Sequence, residues 1–300
     1  AAPVNAPIAS TATPASNSAS GPQGLAPPAE ALKPREEAIS EAPRVKLDTP
    51  DIGGSINLQG GALDDVFLKH YKETIDPKSH DVVLFSPDGT AAPYWAVTGF
   101  LAADKAVKTP NLTTRWTADG GDLTPAHPVT LSFDNGEGLI FKRRIAVDNK
   151  FMFTVDDSVE NKTDKPVSLR PYALILRRGA PKVNGYSVHE GFVAYSDGAE
   201  QKDTYAGIDK ETDKTKTMKT TGGWFGFTDR YWASAVIPPQ NEPVDGRFAA
   251  SGPQNRQDYQ TDFMGQTFEV APGATAAKQT RVLAGALEVA TLDHYITTLG

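Results

Sequence analysis

Apolar and polar residues alternate with a period of two through much of the chain after Arg44, the spacing of half-buried β-strands. Val129, Leu131 and Phe133 alternate and run into Asn135-Gly136, a hairpin turn signal. Leu139, Phe141, Ile145 and Val147 form the returning strand, although Arg143 falls on its inward phase. Phe151, Phe153, Val155 and Val159 alternate again, and residues 161–165 carry polar turn chemistry. Val167-Ser168-Leu169 opens the next strand. Pro171 interrupts it, and Tyr172, Leu174 and Leu176 resume on a shifted phase, as a β-bulge would allow. Further strands are expected at 52–58, 63–71, 81–85, 95–102, 186–195, 232–237, 266–271 and 279–285. Antiparallel hairpins joined by polar turns predict an all-β sandwich, not an α/β fold.

The period changes at both ends. Val289, Leu292, Ile296 and Leu299 stand at i, i+3, i+7 and i+10, one face of a helix over 287–299. Glu288 sits in its first turn, where the helix dipole favours negative charge, and Tyr295 stands at the edge of the stripe. At the other end, residues 1–43 are rich in Ala, Pro, Ser and Asn, and the first aromatic of the chain is Phe67. Val4, Ile8, Leu25, Leu32 and Ile39 are too sparse to offset chain entropy, so a linker is expected, with room for one short helical turn near 35–39. Its prolines favour extended, partly stiff conformations. The expected organisation is a linker over 1–43, a β-body over 44–285 and a helical end over 286–300.

Composition narrows the function classes. The formal net charge is −7 and Lys and Arg are scattered, which argues against a nucleic-acid or anionic-membrane surface. There is no cysteine, so disulfides, thiolate metal sites and cysteine nucleophiles are excluded. No apolar run approaches the roughly 18–20 residues of a membrane span. The chain starts at Ala1 without Met or a signal-peptide pattern and reads as a piece of a longer protein.

Catalytic motifs are missing. There is no Walker A loop, and Gly136-Glu137-Gly138 is followed by a strand where a dinucleotide fingerprint needs a helix. Gly185-Tyr186-Ser187-Val188-His189 is only a near miss to a nucleophile elbow. The histidines, His70, His80, His127, His189 and His294, have no metal-pair spacing. Asp64-Asp65 and Asp156-Asp157 are adjacent pairs, which a strand points to opposite faces. No catalytic residue, metal or cofactor is assigned. The candidate binding residues are Trp224, Phe225, Tyr231 and Trp232, aromatics that suit either a ligand platform or a β-core. Gly222-Gly223 before them suits a tight turn or a close backbone approach.

Four stretches carry a family resemblance. They are residues 56–71, with Gly60-Gly61 and Leu68-Lys69-His70-Tyr71; the hairpin 135–143 followed by Phe151-Met152-Phe153; the aromatic stretch 221–238; and 283–288, leading into Leu292 and Tyr295. Together they resemble the large periplasmic domain of YidC-type membrane protein insertases. Ala284 and Leu287 depart from the aromatic and Lys of that family's pattern at the last stretch. The resemblance implies an antiparallel β-supersandwich like sugar-binding and mutarotase-like proteins, with a helical C-terminal end. It implies a periplasmic location, beside the bacterial inner membrane, in a multi-pass parent protein whose insertase core lies outside this chain. The implied role is non-catalytic. Its partners are Sec translocon components, nascent membrane proteins and the parent's own membrane domain. The terminal helix, with Val289, Leu292, Tyr295 and Ile296, would couple the two domains. The rival reading is a carbohydrate-binding or mutarotase-like protein, which would gather His127, His189 or Glu190 in a cleft.

Overall fold

The computed structural model describes residues 32–181, 189–253, 256–288 and Tyr295. Two antiparallel sheets lie face to face. The first runs β1 (Arg44–Asp48), β2 (Ile52–Asn57), β3 (Leu63–Lys72), β5 (Tyr94–Ala102), β10 (Val167–Arg178), β17 (Asp258–Gly265), β16 (Pro243–Ser251) and β13 (Thr215–Thr221). In it, β4 (Asp81–Phe85) pairs with β3, and β18 (Phe268–Val270) pairs with β10. The second runs β12 (Ala199–Asp203), β11 (Gly191–Ser196), β14 (Trp224–Thr228), β15 (Trp232–Ile237), β19 (Thr275–Ala286), β9 (Met152–Asn161), β8 (Leu139–Val147), β7 (Val129–Asp134) and β6 (Thr117–Ala118). Short helices α1 (Arg35–Ser40) and α2 (Tyr205–Ile208) complete the described elements, with a single 3₁₀ turn at Thr212–Lys214.

Alternation builds the core between the sheets. Leu139, Phe141, Ile145 and Val147 of β8 lie beside Phe153, Val155 and Val159 of the adjacent β9 within one apolar cluster, together with Ile56, Phe100, Ile175, Phe225 and Phe263 of other strands. Arg143, on the same inward phase, is 3% exposed and serves as a polar staple between the sheets. It donates from Nε to Asp157 at 2.7 Å and from Nη1 to the Gly61 carbonyl at 2.9 Å, while Nη2 bonds the Thr98 carbonyl. Its guanidinium lies 5.1 Å over the Trp116 ring. A buried charge with this many partners is satisfied, which explains an arginine on an inward phase.

Two expectations change. Pro171 makes no bulge: β10 is continuous from Val167 to Arg178 and stays in register with β5. The apparent phase shift arises because this strand is buried on both faces. Ala173 and Ile175 enter the core between the sheets, whereas Tyr172, Leu174 and Leu176 join Trp95, Val97 and Met264 on the other face. Pro171 falls where β10 changes neighbour, β18 pairing at 167–169 and β17 at 172–178, so its missing N–H breaks no ladder there. Asp64 and Asp65 are both buried, contrary to strand alternation, because the β2–β3 register shifts between Ser55 and Ile56. Asp64 pairs with Arg44 and Asn57, and Asp65 with Arg35 and Ser55.

That last contact bears on the expected linker. Its end carries α1, whose Ala38 is buried and whose Arg35 is tied to Asp65 of β3. The Lys33 N–H also donates to the Gly89 carbonyl at 2.9 Å. One ion pair, one backbone hydrogen bond and the buried Ala38 thus hold a stretch that its own composition would leave loose. The expected C-terminal helix does not begin where the pattern placed it: Ala286 ends β19, and Leu287 and Glu288 are not helical, Leu287 being bonded instead to the 229–231 turn. The rest of that stretch, except Tyr295, lies outside the described residues.

Candidate functional site

Gly222 and Gly223 introduce the aromatic stretch with φ of 68° and 82°. A Cβ on Gly223 would lie 2.1 Å from the Tyr195 carbonyl, so only glycine fits this approach. The Gln240 side chain clamps Gly223, accepting from its N–H and donating to its carbonyl, each at 3.0 Å. From there β14 alternates. Phe225 and Phe227 point inward and are fully buried, while Trp224 faces outward opposite Tyr195.

The candidate residues therefore separate. Phe225 is a core residue: its ring lies where a Cβ on Gly246 would sit, and it packs 6.4 Å from Phe263. It is not part of any surface. Trp224 is half-buried against Met152, Ala235, Ile237 and Tyr295 on the outer face of the second sheet. Tyr231 is 57% exposed in the turn between β14 and β15. Trp232 is half-buried, with Tyr71 edge-on at 5.0 Å and Tyr231 at 6.0 Å.

This turn joins three parts of the molecule. The Asp229 N–H donates to the Trp232 carbonyl at 2.8 Å, closing the turn. Both carboxylate oxygens of Asp229 accept from Arg177 Nη1, at 2.7 and 2.8 Å. Arg177 stacks 4.9 Å over Tyr94, whose hydroxyl bonds Ser234 of the facing sheet. Burial pushes the Tyr94 phenol well above its ordinary range, so it remains a neutral hydrogen-bonding group. Arg177, Asp229, Tyr94 and Trp232, with Leu84 and Glu190, line a cavity of about 300 Å³. On the other side of the turn, the Leu287 N–H donates to the Tyr231 carbonyl at 2.8 Å. Tyr71 donates its hydroxyl to Glu288 at 2.7 Å, and this bond, followed by burial, pushes its pKa up to about 12. Lys150 bridges Asp51 and Glu288.

Of the expected coupling residues, Tyr295 is buried. Its hydroxyl donates to Asp148 at 2.8 Å and accepts from the Phe151 N–H at 3.0 Å. Val289, Leu292 and Ile296 lie outside the described residues. Sequence pattern assigned Arg177, Asp229, Tyr71 and Glu288 no role in this site, because their partners lie far along the chain. Tyr71 and Glu288 stood out only for other reasons, and Arg143 for its inward phase.

Among the described residues the histidines do not converge with carboxylates in the cavity. His189 turns Nε2 to the Phe192 carbonyl at 2.9 Å although Glu190 beside it lines the cavity. His127 lies 3.0 Å from the Asp122 carbonyl, and His70 pairs with Asp51 at an exposed position. Among the described residues no three acidic or imidazole groups gather at a metal-binding distance.

The fold defines the class as a mutarotase-like β-sandwich. It superposes on a solved structure from Escherichia coli K12, described as a "Putative aldose 1-epimerase", with a TM-score of 0.53 over 82% of this chain and 99% of that one. Sequence identity there is 10%, a likeness of fold alone. Sequence comparison gives the family. The profile of the YidC periplasmic domain matches residues 44–300, and the chain belongs to that family. It is 52% identical over 269 residues to the membrane protein insertase YidC of Beijerinckia indica, covering 89% of this chain and 44% of that protein. It is 46% identical over 263 residues to the insertase of the same name from Bradyrhizobium diazoefficiens, covering 87% of this chain and 42% of the relative. The chain thus spans less than half the length of these relatives.

Proposed function

We propose that this chain is the periplasmic body of an inner-membrane protein insertase and works by contact, without a reaction of its own. The observation that carries the reading is the family match over 44–300, joined to a surface where aromatic residues lie open beside a fully packed core. Trp224 and its cross-strand neighbour Tyr195, 44% exposed, present flat apolar faces on the outer side of the second sheet. Such faces suit segments of a nascent membrane protein or a Sec component, because aromatics offer large contact area at low entropy cost. The test is a photo-crosslinking amino acid at Tyr195 in the full-length protein during insertion. Adducts to a Sec component or a nascent chain are expected at Tyr195 and not at Lys162, which is exposed elsewhere. Equal yields at both positions would remove the contact surface.

The chain after Glu288 is the coupling element in this reading, with Tyr295 as its anchor to the body. Leu292→Asp with Ile296→Asp should impair insertion while the body keeps its melting temperature. A lowered melting temperature with normal insertion would reduce this segment to a cap. The carbohydrate reading has the fold likeness behind it, and an aldose mutarotation assay tests it. Turnover lost in His189→Ala or Glu190→Ala would favour that reading over ours.

A further inference from the structure

We infer that the end of the molecule carrying the turns 73–80 and 229–231 rests on the lipid surface, with Ile75 and Tyr231 touching the headgroup layer. The inference rests on the reading above, that a membrane-embedded part continues the chain. Four connections meet at this end, held together by side chains. Asp51 from the β1–β2 turn and Lys150 from the β8–β9 turn form an ion pair at 2.9 Å. Lys150 and Tyr71 both reach Glu288, and the Leu287 N–H is fixed to Tyr231. The last described contacts of the chain, at Leu287, Glu288 and Tyr295, are therefore made at this end, Tyr295 on Asp148 and Phe151 of the β8–β9 turn. A membrane-bound continuation beyond Tyr295 brings this end, not the opposite one, nearest the bilayer.

The surface there has the matching chemistry. Ile75 is fully exposed in the β3–β4 loop, four residues beyond Tyr71, and Tyr231, whose carbonyl accepts from the Leu287 N–H, is another exposed large apolar side chain at this end. Tyr71 and Trp232 stand behind them as an aromatic pair. Tyrosine and tryptophan favour the headgroup level, where the ring is in a partly apolar layer and the polar atom stays hydrated. Arg230 lies 5.2 Å over the Tyr231 ring, and neither it nor Lys78 has an ion-pair partner among the described residues. Both cations suit phosphate groups. Glu73 and Asp76 of the same loop balance them, so the contact depends on apolar insertion and not on net charge. This agrees with the scattered charge of the sequence, which offers no basic cluster.

The test uses the full-length protein in a cysteine-free background, reconstituted in phosphatidylethanolamine/phosphatidylglycerol vesicles. Single fluorophores are placed at Ile75→Cys, Tyr231→Cys, Tyr195→Cys and Lys162→Cys, and quenched by lipids carrying a nitroxide on the headgroup. Quenching should be several-fold greater at 75 and 231 than at 195 and 162, and should persist at high salt. Equal quenching at all four positions, or none at 75 and 231, overturns the inference. A blue-shifted but unquenched probe at 75 or 231 also overturns it, because the surface is then covered by protein. The crosslinking result at Tyr195 is independent, so either idea can fail alone.

Discussion

At the scale of single residues, two aromatics six positions apart in sequence, one inward and one outward, should behave oppositely. Phe225 is fully buried, and Phe225→Ala should cost about 3–5 kcal/mol by removing a core ring. Tyr231→Ala, at an exposed position, should stay within about 0.5 kcal/mol. Denaturant midpoints at constant slope would separate the two. Tyr71 offers a pH test. Its phenol is raised from 10.0 to about 12, chiefly by the Glu288 carboxylate. A raised pKa means that the folded state holds the proton longer. The stabilisation is therefore complete below pH 10, and is lost as pH rises through about 12. Burial raises other tyrosines as well, Tyr94 among them, so phenolate absorbance should show a group of late titrations from which one returns toward its ordinary range in Glu288→Gln. No change in that variant would mean that the hydrogen bond is not made.

At the scale of elements, glycine and one tyrosine decide how segments meet. Gly223→Ala places a Cβ against the Tyr195 carbonyl at a left-handed φ, so a cost above about 1 kcal/mol is expected together with a displaced β11–β14 pairing. Hydrogen exchange at Tyr195 and Trp224 would report it. Tyr295→Phe removes the bonds to Asp148 and to the Phe151 N–H, which should cost about 1–3 kcal/mol. Faster exchange of the Phe151 amide is the specific readout. An unchanged amide would mean that other contacts hold the chain after Glu288.

At the scale of the whole molecule, the two sheets are joined by apolar packing and by polar links, of which Arg143 is the most deeply buried cation. Arg143→Ala leaves Asp157 buried without its cation and exposes the Gly61 and Thr98 carbonyls to a dry interior. A loss of about 3–5 kcal/mol is expected. Arg143→Met with Asp157→Leu should recover much of it, since matched apolar groups can replace a buried pair. A thermal melt of the single and double variants decides this. If the single variant melts like the parent, the staple is dispensable.

What the sequence determined by itself was the class of structure and most of the strand positions. Alternation at 129–133, 139–147 and 152–159 is enforced by one buried face, so it is legible without coordinates. Family membership was legible for a related reason: turns and aromatic stretches such as 221–238 keep their order along the chain. Other strands carried no such mark. β13 is almost wholly polar, β16 places Gly246 and Ala250 on its inward face, and β17 buries Asp258, Gln260 and Asp262 on the opposite one. Those acids are tolerable only because Arg178 and Arg247 reach them from neighbouring strands. Tertiary structure alone decided that Phe225 belongs to the core and Tyr231 to the surface, and that α1 is bound to the body. It also decided that Glu288, Tyr71 and the 229–231 turn share one end. Each of these depends on contacts between residues far apart in sequence, and local pattern holds no information about which distant partner will satisfy a buried charge or cover an exposed ring.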